Sequence, residues 1–158
     1  MTATMAEHVV TIAQDMFTAM IDGEPGLLTD RASDVVVLAN PVRAWVEIQG
    51  EPSVRTVVAT DRATADRIAR ALLAMGPAEP VAVEDVRDAL GEIANVIGGN
   101  LKGLMTGSNA LSLPVVTLDD TQPDGDLVWE RALHWHEAPL VISVWEPDTT
   151  TDAKEDTQ

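Results

Sequence analysis

The chain contains no cysteine and no tyrosine, one phenylalanine, and only 10 basic residues against 26 acidic ones. Without cysteine there are no disulfides, thiol nucleophiles or zinc–thiolate sites, which fits a reducing cytoplasm. With four Trp and one Phe as the whole aromatic complement, the core has to be built from Val, Ile, Leu, Ala and Met. The basic deficit leaves a formal charge of −16. A surface of that sign repels phosphate backbones, so nucleic acid and anionic membranes are poor partners. Long apolar runs are missing too, and none approaches the ~20 residues needed to span a bilayer. Met1 to Gln14 is broken by Glu7, His8 and Gln14 and has no basic stretch ahead of an apolar one, so it does not read as a signal peptide. The expectation is a soluble cytoplasmic protein.

The 158 residues, 46% of them apolar, suit one domain with one core. Met5, Val9, Ile12, Met16 and Met20 recur at helical spacing, predicting an amphipathic helix over Met5–Ile21 that stops at Gly23, Pro25 and Gly26. Arg43–Gln49 and Val54–Thr60 are β-branched segments around Gly50-Glu51-Pro52-Ser53 and predict a hairpin. Val35–Leu38 reads as a further short strand. Asp61 is placed to cap a helix reaching about Met75, and a longer helix is expected over Val83–Met105. Strands follow near Leu111–Leu118, Leu127–His136 and Leu140–Trp145, with turns at Pro123-Asp124-Gly125 and Glu137-Ala138-Pro139. Residues 1–147 are thus expected to form an α/β (α+β) domain, with a mainly antiparallel sheet of about six strands and helices on one face. Residues 148–158 read as an acidic, disordered tail.

The long helix carries the chemistry. Val86, Leu90, Ile93, Ile97, Leu101 and Leu104 form one apolar stripe at ~100° per residue. Asp88, Glu92, Asn95, Gly99 and Lys102 keep the same rhythm on roughly the opposite side, so Glu92 and Asn95 should project side by side into solvent. Gly91, Gly98, Gly99 and Gly103 lie inside the helical pattern, where each costs about 1 kcal/mol relative to Ala. Gly98 and Gly99, placed near the Glu92/Asn95 face, would let another molecule approach the backbone; the alternative is a helix that breaks there. Asn100 falls on the core side in this projection.

The run Glu92-Ile93-Ala94-Asn95-Val96-Ile97-Gly98-Gly99-Asn100-Leu101-Lys102 resembles the signature of the CheC/CheX/FliY family of chemotaxis phosphatases: a Glu, two residues, an Asn, then an apolar pair and a glycine. The element order over about Met5–Trp145 matches as well, and the motif occurs once, as in the CheX branch. The resemblance implies a phosphatase that removes phosphate from the aspartate of a CheY-like response regulator receiver. In it Asn95 orients the attacking water and Glu92 pairs with the receiver's lysine. Gly98, Gly99 and Lys102 belong to the docking surface. It implies no cofactor in this chain, the Mg²⁺ coming with the receiver, and homodimer formation as in relatives. An amide is a weak base but can position water, and phosphoryl transfer asks mainly for alignment and charge neutralisation. The chain departs from the family in its acidity and in the Glu51-Pro52 turn.

Two other readings bear on function. His134 and His136 alternate on an expected strand with Glu130, a set that could hold zinc or simply form a polar outer face. The same fold could also serve as a non-catalytic module that recognises or sequesters a response regulator or another signalling protein. Gly98-Gly99-Asn100 lacks the spacing of a phosphate-binding loop, and no Ser/His/Asp arrangement is present.

Overall fold

The computed structural model describes residues 3–107 and 110–148. Six strands form one antiparallel sheet: β1 (Leu28–Asp30), β2 (Pro41–Ile48), β3 (Val54–Asp61), β4 (Val115–Thr117), β5 (Asp126–Trp135) and β6 (Ala138–Glu146). Their spatial order is β1-β5-β6-β3-β2-β4. Helices α1 (Ala3–Phe17), α2 (Arg62–Leu72) and α3 (Val83–Gly103) cover one face. Except for Asp148, the expected tail lies outside the described residues.

The two-residue period of a strand decides what is buried. Along β2, Val42, Ala44, Val46 and Ile48 are buried, while Pro41, Arg43, Trp45 and Glu47 alternate with them on the other face. Register extends the buried layer across the sheet: Ala44 pairs with Val58, Val58 with Ile142, and Leu140 with Leu133. Onto this layer α1 places Val9, Ala13 and Phe17, α2 places Ala65, Ile68 and Ala69, and α3 places its apolar stripe. The expected β2–β3 hairpin is present, in register from Pro41↔Asp61 to Ile48↔Val54, with a cis Glu51–Pro52 bond in its turn. The first helix also ends where expected. It leaves α1 through a π-helical turn, Thr18–Asp22, and Gly23 at φ +72° closes it by donating to the Thr18 carbonyl at 2.9 Å.

Four local expectations need correction. Val35–Leu38 forms no strand. Val36 and Leu38 turn toward the sheet's second face, while Val35 and Val37 are 94% and 87% exposed. The sixth strand is β1, where Leu28 is buried and pairs with Trp135. Leu111–Leu118 contains only the short β4 and an isolated bridge between Leu111 and Ile48, because Pro114 has no N–H to continue a ladder. Asp61 heads α2, but its carboxylate accepts the Ala39 N–H at 2.8 Å instead of capping, which ties the 31–40 connection to the end of β3. The β5–β6 turn is made by His136 and Glu137 at φ 48° and 65°, the pair of positive φ values that suits a two-residue hairpin. Ala138 and Pro139 already belong to β6. At the other expected turn Gly125 has φ +104°, and a Cβ there would overlap the Glu146 carbonyl.

Candidate functional site

Helix α3 begins with the Asp85 carboxylate accepting the Ala82 N–H at 2.9 Å. Glu84 and Asp85 lie in its first turn and Lys102 in its last, both favourable to the helix dipole. The helix runs unbroken through Gly98-Gly99. Val86, Leu90, Ile93, Ile97 and Leu101 are buried over β2 and β3, anchoring one side of the rod. Leu104, expected in that stripe, lies past the helix end and is exposed.

On the opposite side Asp88 and Glu92 are exposed and Asn95 is half-buried. Residues three apart on a helix are neighbours, with Cβ atoms about 5–6 Å from each other. Among the described residues neither the Glu92 carboxylate nor the Asn95 amide has a hydrogen-bond or ion-pair partner. The pair therefore sits on a rigid support with its polar groups turned to solvent. Asn100 is also exposed rather than core-facing, and its amide donates to the Val96 carbonyl at 2.8 Å one turn back.

The glycines divide between two tasks. Gly98 is buried, and a Cβ there would overlap Val46 Cγ2 of β2, so it sets how closely α3 approaches the sheet rather than lying on the Glu92/Asn95 face. Gly99 is half-buried, with Leu111 Cδ2 at 3.9 Å from where a Cβ would be. Lys102 is half-buried on the exposed side. At Gly91 a Cβ would make ordinary contact with Pro114 at 3.5 Å and Val116 at 3.6 Å.

These contacts reveal a strap the sequence did not disclose. Residues 110–117 run alongside α3 in the opposite direction, with Leu111 at Gly98 and Gly99 and with Pro114 and Val116 at Gly91. Arg87 then clamps the strap by donating to the Val116 carbonyl at 2.7 Å. No spacing rule within one sequence connects Arg87 to Val116. Beyond β4 the chain turns where Asp119 accepts the Thr121 N–H at 2.8 Å. The Thr121 hydroxyl and then its N–H hold the Asp119 carboxyl below its usual range.

The histidines do not form the set that their alternation allowed. His134 is on β5, with Nε2 3.7 Å from Asp34. His136 has left the strand for the turn and meets the Trp135 ring edge-on at 4.8 Å. Among the described residues no group of three or more His, Asp or Glu is placed to hold a metal ion. Among them also, no helix is long and apolar enough to cross a membrane.

The family described as chemotaxis phosphatase CheX matches residues 42–123, more than half of the chain and all of α3. The chain belongs to the CheX family. No curated protein matches it. Among solved structures, a chemotaxis protein CheX from Vibrio vulnificus is similar at a TM-score of 0.67 and 15% identity, covering 90% of this chain and 96% of that one. A CheX from Desulfovibrio desulfuricans reaches 0.67 at 19% identity, over 90% and 99% of the two chains. A CheX-CheY-BeF3-Mg²⁺ complex from Borrelia burgdorferi gives 0.66 at 13%, over 90% and 97%. At these identities the likeness establishes the CheX fold.

Among the described residues, surface hollows of about 250, 530 and 360 Å³ lie away from Glu92 and Asn95. The first sits on the second face of the sheet beside Asp34, Arg43 and Glu130, and the second lies between the end of α3 and the β2–β3 turn.

Proposed function

We propose that this chain hydrolyses the aspartyl phosphate of a CheY-like receiver domain, with residues 1–147 acting as one phosphatase unit. The observation that carries the reading is the Glu92/Asn95 pair: two neighbouring polar groups without partners among the described residues, on a rigid helix of a CheX-family fold. The Borrelia relative in complex with CheY, BeF3 and Mg²⁺ supports a receiver as the partner. Asn95 enters the receiver's pocket, and its amide aligns a water for in-line attack on phosphorus. The P–O bond to the aspartate breaks, releasing inorganic phosphate and a free carboxylate. Alignment of this kind supplies catalysis without a strong base. Glu92 pairs with the receiver's lysine and fixes the approach. Gly99 leaves room beside Asn95, and Lys102 extends the docking face. The receiver contributes the Mg²⁺ that neutralises charge on the phosphoryl oxygens.

The test is the decay of a phosphorylated receiver with and without the protein, beside the Asn95→Ala variant. Acceleration that disappears in the variant is expected. Binding without acceleration, across several receivers, would leave a recognition module in place of an enzyme.

A further inference from the structure

Leu113 is 86% exposed although the strap that carries it is fixed on both sides. Ser112 donates its N–H to the Glu47 carbonyl at 2.9 Å, and its hydroxyl accepts the Glu47 N–H at 2.8 Å. Ser112 is thereby held to β2, and Leu113 beside it stays open to solvent. Along α3 the strap touches Gly98 and Gly99 through Leu111 and Gly91 through Pro114. Asn95 lies between those two levels on the helix, so Ser112 and Leu113 pass at the height of Asn95. Pro114 is exposed as well and with Leu113 makes a short apolar strip at the height of Asn95, whereas Val115 pairs with Trp45 and turns to the sheet's other face. Held at the level of Asn95, the strip is placed to touch whatever docks on Glu92 and Asn95.

Charge decides what the strip is for. At a formal −16, this chain gains nothing from long-range attraction to a group as negative as an aspartyl phosphate. An apolar contact beside the chemistry supplies affinity that neither depends on charge nor is weakened by salt. We infer that Leu113 and Pro114 form the apolar half of the docking surface for the phosphorylated receiver, against an apolar patch next to its phosphoaspartate. This rests on the proposed function and deepens it: Glu92 and Asn95 supply the polar half, and the strap supplies the grip.

The experiment measures phosphoreceiver decay against receiver concentration, and in parallel the binding of a beryllofluoride-activated receiver. The proteins are the full chain, Leu113→Ser and the control Val35→Ser, which alters a 94% exposed valine on the 31–40 connection. Removing one buried leucine contact should raise KM and the dissociation constant about tenfold in Leu113→Ser at both low and high salt. Its kcat should be unchanged, and Val35→Ser should match the full chain. A Leu113→Ser saturation curve equal to that of the full chain overturns the inference. So does loss of self-association in sedimentation with receiver binding intact, which would assign the strip to a second copy. If the full chain accelerates no decay yet binds the receiver in a Leu113-dependent way, the docking surface stands and the phosphatase reading falls. Neither acceleration nor binding overturns both.

Discussion

Gly98 of α3 faces Val46 of β2 so closely that a methyl group on Gly98 would overlap the valine's Cγ2. The contact sets the height of the site helix above the sheet, and the two residues lie on the elements that form the middle of the core. Substituting Gly98→Ala should therefore destabilise. Overpacking costs about 1–3 kcal/mol, while the better helix propensity of alanine returns about 1. The net should be a loss of up to ~2 kcal/mol, read as a fall in Tm of up to roughly 5 °C. Gly103→Ala is the control, because a Cβ there meets nothing within 4 Å. It should leave Tm unchanged or raise it. Gly99→Ala separates stability from docking, since a Cβ there makes only ordinary contact. It should gain up to ~1 kcal/mol of stability while slowing receiver dephosphorylation.

Trp135 ties the end of β5 to the first helix. Its indole N–H donates to Asp22 Oδ1 at 2.9 Å, its ring meets Phe17 edge-on, and the Arg67 guanidinium lies over it at 5.1 Å. The Asp22 side chain is 5% exposed, so deleting it strands a buried donor. Asp22→Ala should cost about 1–3 kcal/mol in denaturant unfolding. Asp22→Asn keeps an acceptor and should restore most of that. Equal stability of the alanine variant and the parent would mean that water replaces the carboxylate.

Arg87 holds the strap to α3 through the Val116 carbonyl. Arg87→Ala removes that clamp but leaves the β2–β4 ladder and the Ser112 bonds to Glu47 in place. Hydrogen exchange should quicken in β4 with α3 unaffected, and global stability should drop by no more than ~1 kcal/mol. If the strap grips the receiver, KM rises in the same variant without loss of kcat. Unchanged exchange in β4 would show that β2 alone fixes the strap.

The sequence showed the elements with strong periodicity and hid those made by pairing. Helix α3 was legible because its apolar stripe is long, and the β2–β3 hairpin because β-branched runs flank a Gly/Pro turn. The free Glu92/Asn95 pair followed from the same helical arithmetic. Val35–Leu38 has the composition of a strand but lies over the sheet's second face through Val36 and Leu38, whereas Leu28–Asp30 is too short to show a pattern and becomes a strand by pairing with Leu133–Trp135. Gly98 was misplaced because it lies at the side of the helix, where ~20° decides between solvent and sheet. Asn100 was misplaced for the same reason. The strap was invisible because Gly91–Pro114 and Arg87–Val116 are contacts between segments that share no local signal.

Glu92 and Asn95 should separate cleanly in kinetics because they are assigned different tasks. Asn95→Ala removes the group that aligns water, so kcat should fall about 100-fold or more while binding of the beryllofluoride-activated receiver is nearly retained. Glu92→Ala removes an ion pair that exists only in the complex, so it should weaken binding and lower kcat as docking loosens. Salt provides a further check. An ion pair at an exposed helix face is screened as ionic strength rises. Added salt should therefore raise the parent's KM relative to that of Glu92→Gln, which keeps the shape and loses the charge, while screening between the two protein surfaces acts on both alike. The salt response of Leu113→Ser should follow the parent's, because its lost contact carries no charge. A salt response equal in the parent and Glu92→Gln would separate Glu92 from the receiver's lysine, and the acidic row on α3 would then need another partner.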